Sequence, residues 1–166
     1  MGYTTAFSGQ FTITPKLKLH HNRYLKALAT TRRMKRDPNV LEDYIDKLRQ
    51  DVGLPLGDEG EFYVGSVEDL DWGQSRDKSI ISYNLPPSNQ PSLWLQWLPS
   101  EDGDCYMWDG AEKFYDYVDW LKYVIKNFFD PWGYKLNGQV AWSGEDRSDI
   151  GVITITDNLI DIGVGI

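Results

Sequence analysis

Hydrophobic residues recur at helical spacing most clearly between Asp109 and Trp132. Phe114, Tyr117, Val118, Leu121, Val124, Ile125 and Phe128 form one apolar stripe, while Asp116, Asp119, Lys122 and Lys126 fall elsewhere on the wheel. Asp109 stands three residues before Glu112, the spacing of a capping box, and Pro131 with Gly133 supplies a stop. Two aromatics break the pattern. Tyr123 lands in the middle of the polar face and Trp120 at its edge, so both are expected to be available to a partner, and Tyr123→Ala should barely change stability.

Elsewhere the period alternates between two and 3.6. Phe7, Gly9, Phe11 and Ile13 alternate with Ser8, Gln10 and Thr12, which predicts a half-buried strand. Thr14-Pro15 predicts a helix start, and Leu17, His21, Tyr24, Leu25 and Leu28 share the face that follows. Carried further, that face holds Arg32 and Lys35, making Arg32 the expected inward-facing cation. Asp37-Pro38 predicts a second helix with Leu41, Tyr44, Ile45, Leu48 and Val52 on one side, ended by Gly53 and Pro55. Residues 53–79 look irregular, with a short strand at Phe62–Val64 and acidic patches at Asp58–Glu61 and Glu68–Asp71.

A strand at Ile80–Tyr83 then runs into Asn84–Pro91, whose three prolines stiffen it. Leu93–Leu98 and Asp104–Trp108 flank Ser100–Gly103 as a hairpin. Tyr134–Trp142 is a strand with a bend at Asn137-Gly138. Gly151–Thr156 and Leu159–Val164 form a second hairpin around Asp157-Asn158, a type I′ turn pair. Ile160, Ile162, Val164 and Ile166 alternate strictly, so one face of that last strand should be buried. Strands joined by short turns, with three helices between them, predict an α+β fold: an antiparallel sheet packed against helices in a single domain over residues 1–166.

Charge changes this picture more than composition does. A hydrophobic content of 41% and a charged content of 25% are ordinary for a globular chain of 166 residues. No apolar run approaches a membrane span, and the first residues lack the order of a signal peptide. A lone Cys105 excludes an internal disulfide and suits a reducing cytoplasm. Residues 1–36, however, hold eight Lys or Arg and no Asp or Glu, leaving nine basic and 25 acidic residues for the rest. Such asymmetry marks either an anion site or a basic segment docked on an acidic body.

Arg32, Arg33, Lys35 and Arg36 are the densest local chemistry, suited to phosphate or carboxylate, or to internal ion pairs and the end of a helix dipole. Four cations facing a net −16 elsewhere argue against nucleic acid. His20 and His21 point about 100° apart on a helix and chelate poorly. Cys105 has no basic neighbour to activate it. Glu145, Asp146 and Asp149 could hold a divalent cation or stand solvated in a turn. Tyr83, Trp94, Trp97, Trp108, Trp120 and Tyr123 offer an aromatic set for docking, with at most one of Trp94 and Trp97 on the core side. No phosphate-binding glycine loop, serine-nucleophile elbow or zinc-protease motif is present, so no catalytic residue, resident metal or cofactor is expected.

Several segments together resemble a family of small uncharacterised proteins encoded by phages and bacterial genomes. They are Thr31-Arg32-Arg33-Met34-Lys35-Arg36-Asp37, Gln90–Trp97, Glu112-Lys113-Phe114-Tyr115, Trp132-Gly133-Tyr134-Lys135-Leu136-Asn137-Gly138 and Trp142–Asp146. The resemblance, which continues through Asp149-Ile150-Gly151 to Asp157-Asn158, brings no activity to carry over. It implies an accessory role in which the chain binds a host or defence protein through an acidic, aromatic-rich surface. A second reading is a nucleotide or similar anion held by Arg32, Arg33 and Arg36 beneath a stacked aromatic. A third is a small hydrolytic enzyme using His21 or the turn carboxylates. Oligomeric state is not encoded in any pattern found.

Overall fold

The structure, a computed structural model, describes residues 2–65 and 76–165. It is α+β, and contacts divide the chain into two compact units: Met1–Lys18 with Gln96–Ile166, and Leu19–Leu95. The acidic patch expected at Glu68–Asp71, and Ile166, lie outside the described residues.

The first unit is a six-stranded antiparallel sheet. Its strands are β1 (Thr5–Thr14), β4 (Trp97–Pro99), β5 (Cys105–Trp108), β6 (Lys135–Gly144), β7 (Ile150–Thr156) and β8 (Leu159–Val164), in the order β4-β5-β1-β6-β7-β8. Alternation of side chains puts Phe11 and Ile13 of β1, Leu136, Val140 and Trp142 of β6, and Ile153 and Ile155 of β7 in the core. The expected bend at Gly138 is absorbed without a break in β6. Gly138 (φ 140°) pairs with Phe11, and a Cβ there would stand 2.8 Å from the Gln10 carbonyl oxygen. The hairpin turn is as expected: Asp157 and Asn158 have φ 47° and 71°, the double positive φ of type I′. Asn158 also locks it, accepting from the Leu136 N–H at 2.6 Å and donating to Asp130 and the Tyr134 carbonyl.

The long helix begins later than its capping box predicts. Residues 109–116 turn repeatedly instead: Gly110, Lys113 and Asp116 all have positive φ, and Asp109 accepts from the Ala111 N–H at 2.8 Å. This path delivers Phe114 to the rings of Phe7 and Trp97, a burial worth more than one capped turn. Helix α4 (Tyr117–Val124) then passes through a π-helical stretch (Ile125–Phe129) into α5 (Asp130–Trp132), and Gly133 closes it at φ 84°. One extra residue per turn rotates the register, so consecutive Phe128 and Phe129 are both fully buried.

That wider apolar arc overturns the expectation for Trp120 and Tyr123. They are 0% and 7% exposed, and Tyr123 stacks edge-on between Trp120 and Phe128. The polar face is only a narrow line through Asp119, Lys122, Lys126 and Asp130. In β8, by contrast, the expected burial fails: Ile160 is half-buried, Ile162 40% exposed and Val164 73% exposed.

The second unit contains α1 (Leu19–Thr30), β2 (Lys35–Arg36), α2 (Pro38–Leu41), α3 (Lys47–Asp51) and β3 (Ile80–Ser82), with β2 and β3 paired antiparallel. Tyr24, Leu25 and Leu28 are buried as expected. The predicted stripe does not continue to Arg32 and Lys35, because the helix stops at Thr30. Thr30 and Thr31 hydroxyls donate back to the Lys26 and Ala27 carbonyls, and the chain leaves as extended backbone. Asp37 caps α2 through the Asn39 N–H, with Pro38 first in the helix, but that helix ends after one turn. Ile45 is therefore exposed, and Asp46 turns inward to accept from the Val64 and Gly65 N–H groups and from Arg49. Residues 62–64 form a turn, not a strand, with Tyr63 N–H on the Gly60 carbonyl.

Both misplaced aromatics yield a measurable contrast. Trp120→Ala and Tyr123→Ala should each cost about 3–5 kcal/mol in urea melts, the price of a large core truncation. A loss below about 1 kcal/mol in either would return that ring to the surface.

Candidate functional site

The basic cluster resolves into two kinds of cation. Arg33 is 3% exposed and holds loops together: its guanidinium donates to Thr31 Oγ1 (2.7 Å), the Tyr63 carbonyl (2.6 Å) and the Glu61 carbonyl (3.1 Å). Gln90 reaches the same Glu61 carbonyl at 2.7 Å. Arg36 is also buried, donates to Asp77 at 3.2 Å and Ser79 at 2.8 Å, and lies over the Tyr63 ring. Partial burial works against the Asp77 carboxylate, yet hydrogen bonds from Ser79 and Tyr44 and the Arg36 charge hold it below the usual range. Lys35 pairs with Glu59 at 3.2 Å. These three are internal fittings, and Arg33 and Arg36, not Arg32, are the inward-facing pair. The correction follows from α1 ending early: the helical period lapses once the chain is extended, and the register of β2 against β3 shifts between Lys35 and Arg36.

Arg32 is the outward member. It donates through Nε to the Tyr83 carbonyl at 3.0 Å and through Nη2 to Asn84 at 3.2 Å, with its guanidinium 4.2 Å from the Tyr83 ring centre. Arg76, which no sequence pattern singled out, brings a second guanidinium to 4.9 Å from the same ring. Neither makes an ion pair among the described residues. Thus Arg32 and Tyr83, named from sequence, do meet, and Arg76 joins them. Trp94 is half-buried in this same unit, and no contact joins it to them among the described residues. Trp97 is fully buried in the sheet unit and donates its indole N–H to the Tyr117 carbonyl.

In the sheet unit, a different aromatic and acidic surface forms where β1 begins and β6 ends. Tyr3 and Tyr115 are exposed there, beside Glu145 and Asp146. The Tyr3 hydroxyl donates to Asp149 at 2.8 Å and accepts from the Asp146 N–H, while its backbone N–H donates to the Tyr115 hydroxyl at 3.1 Å. Glu145 accepts from the Thr4 N–H, and Asp149 also accepts from the Trp142 indole at 2.9 Å. The Asp146 N–H favours the Tyr3 phenolate, but desolvation and the Asp149 carboxylate prevail and push this phenol up. Asp146 itself is held low by the Ser148 N–H and hydroxyl. Of the carboxylates named as an alternative cation site, Glu145 and Asp149 thus pin the N-terminal segment, and Asp146 is taken up by Ser148. Among the described residues, no three His, Cys, Asp or Glu side chains are grouped to hold a metal ion.

His20 and His21 stack with ring centres 4.1 Å apart. Burial, then the nearby Asp104 and Asp102 carboxylates, push the Cys105 thiol up, the opposite of nucleophile activation. No helix among the described residues is long and apolar enough to cross a membrane.

The division of the cations has a direct test. Arg33→Ala removes the guanidinium from the Tyr63 carbonyl and the Thr31 hydroxyl, and one of two donors from the Glu61 carbonyl, and should cost about 3 kcal/mol or more, whereas Arg32→Ala should cost about 1 kcal/mol. Equal losses in urea melts would mean that Arg33 is not the internal tie.

Comparison with known proteins adds no relative. No family model matches the chain, and neither the curated proteins nor the solved structures searched contain a match.

Proposed function

We propose that this chain is a non-enzymatic accessory protein of the phage type that its motifs resemble, binding a host or defence protein through an acidic, tyrosine-bearing surface. The observation in support is the Tyr3–Tyr115 corner: an exposed Tyr3 phenol bonded to Asp149 and the Asp146 N–H, and an exposed Tyr115 phenol bonded to the Tyr3 N–H, beside Glu145. Aromatic rings already fixed in place lose little freedom on docking, and carboxylates around them steer a basic partner. The rings differ from Trp120 and Tyr123, which belong to the core. A basic groove on the partner, including one that ordinarily holds nucleic acid, is complementary to it.

Capture from host lysate on immobilised protein, with Tyr115→Ala and Glu145→Lys run in parallel, tests this reading. A basic protein retained by the original chain should be lost from both variants and weakened by salt. Retention unchanged by either substitution would remove this surface from consideration.

A second reading has one observation in its favour: Arg32 and Arg76 converge on Tyr83 with no carboxylate paired to either among the described residues. A phosphate-bearing nucleotide matches that chemistry, its phosphate on guanidinium and its base on an aromatic face. Thermal shift with ATP should then show stabilisation that Arg32→Gln abolishes. No shift at millimolar ATP would dismiss it.

A further inference from the structure

The two edges of the sheet are built differently. β4 is three residues long and ends in Pro99, which cannot donate to another strand. β8 is six residues long, with no proline, no lysine and an unbroken register against β7. Its residues alternate between two roles. The two-residue turn makes Thr156↔Leu159 a hydrogen-bonded pair, so Asp161 and Gly163 also bond inward to β7. Ile160, Ile162 and Val164 then direct their backbone N–H and C=O groups away from β7. The same three residues carry their side chains on the face shared with Ile155, Ile153 and Gly151, the core face. Core-facing side chains and backbone groups without a strand partner among the described residues coincide along one strip, and exposure along it rises to 73% at Val164.

Beside this strip runs a groove of about 340 Å³, lined by Lys122, Ile125, Lys126, Asp130, Asn158, Leu159 and Ile160. Ile125, Leu159 and Ile160 are its apolar lining. Lys122 and Lys126, one helical turn apart and exposed, make no ion pair among the described residues. The single acid, Asp130, already accepts from the Asn158 amide at 2.7 Å. The groove is therefore cationic in an otherwise acidic chain.

We propose that β8 is a docking edge for an extended segment of another protein that carries apolar and acidic side chains on one and the same face, two residues apart. The segment adds a seventh strand through the backbone groups of Ile160, Ile162 and Val164, lays its apolar side chains beside theirs, and meets Lys122 and Lys126 with a carboxylate. A second copy of this chain matches the edge less well. The carboxylate of β8, Asp161, shares the opposite face with Thr154, away from the lysines, and two copies would bring two net charges of −8 together.

A random ten-residue peptide library selected against the full chain tests the proposal. Enriched peptides should carry Asp or Glu two residues from an apolar side chain, and should slow hydrogen exchange at the Ile160, Ile162 and Val164 amides. They should bind Lys122→Glu/Lys126→Glu about tenfold or more weakly, while that variant, changed only at exposed positions, keeps its fold. No enrichment, enrichment of basic peptides, or equal binding to the double variant would overturn the proposal. So would a dimer in sedimentation velocity that Ile162→Lys dissociates, since the edge would then be covered by a second copy.

Discussion

The sheet unit depends on one ladder, the ten-residue antiparallel pairing of β1 with β6 from Thr5↔Gly144 to Thr14↔Lys135. β5 and then β4 attach to one side of it, β7 and then β8 to the other. The aromatic cluster is an outgrowth of the same pairing. Phe7 lies in edge contact with Trp97, Trp108, Phe114 and Tyr117, drawing three separate stretches of chain onto one residue of β1. The acidic corner is placed by this ladder as well, because Tyr3 and Thr4 lead directly into its first pair. Exposed Tyr3 thus leads directly into the most extensively paired part of the sheet.

The helical unit solves a different problem. Short elements and long connections leave many backbone groups without ladder partners. Buried charge fills the gap: Arg33 gathers two carbonyls, and Asp46 gathers two N–H groups and Arg49. A guanidinium suits this task because its planar fork serves several acceptors at fixed angles. Using Arg33 and Arg36 in this way separates structural cations from Arg32 and Arg76, which make no ion pair among the described residues.

Much of the strand layout was legible because alternation and turn chemistry act locally. Asp157-Asn158 needs only its own positive φ values to define a hairpin, and Phe11 and Ile13 need only parity. The helices were less legible where tertiary demands overrode local signals. Phe114 takes the place of the Asp109 capping box, and Tyr123, expected on a polar face, is buried between Trp120 and Phe128. Helix exit after Thr30 changed the period that the arginines obey, moving burial from Arg32 to Arg33 and Arg36. Arg76 and Tyr3 carried no sequence signal, since each acquires its meaning from residues remote in the chain.

The central ladder also has a consequence for how the protein is made. The partners in it lie more than a hundred residues apart, and β6 reaches the ribosome exit long after β1. At a synthesis rate of roughly 5–20 residues per second, β1 waits on the order of ten seconds for its mate. During that interval Phe7, Phe11 and Ile13 are shielded by neither β6 nor the rings that later gather around them. Polar Ser8, Gln10 and Thr12 between them keep the nascent segment from presenting an unbroken apolar run.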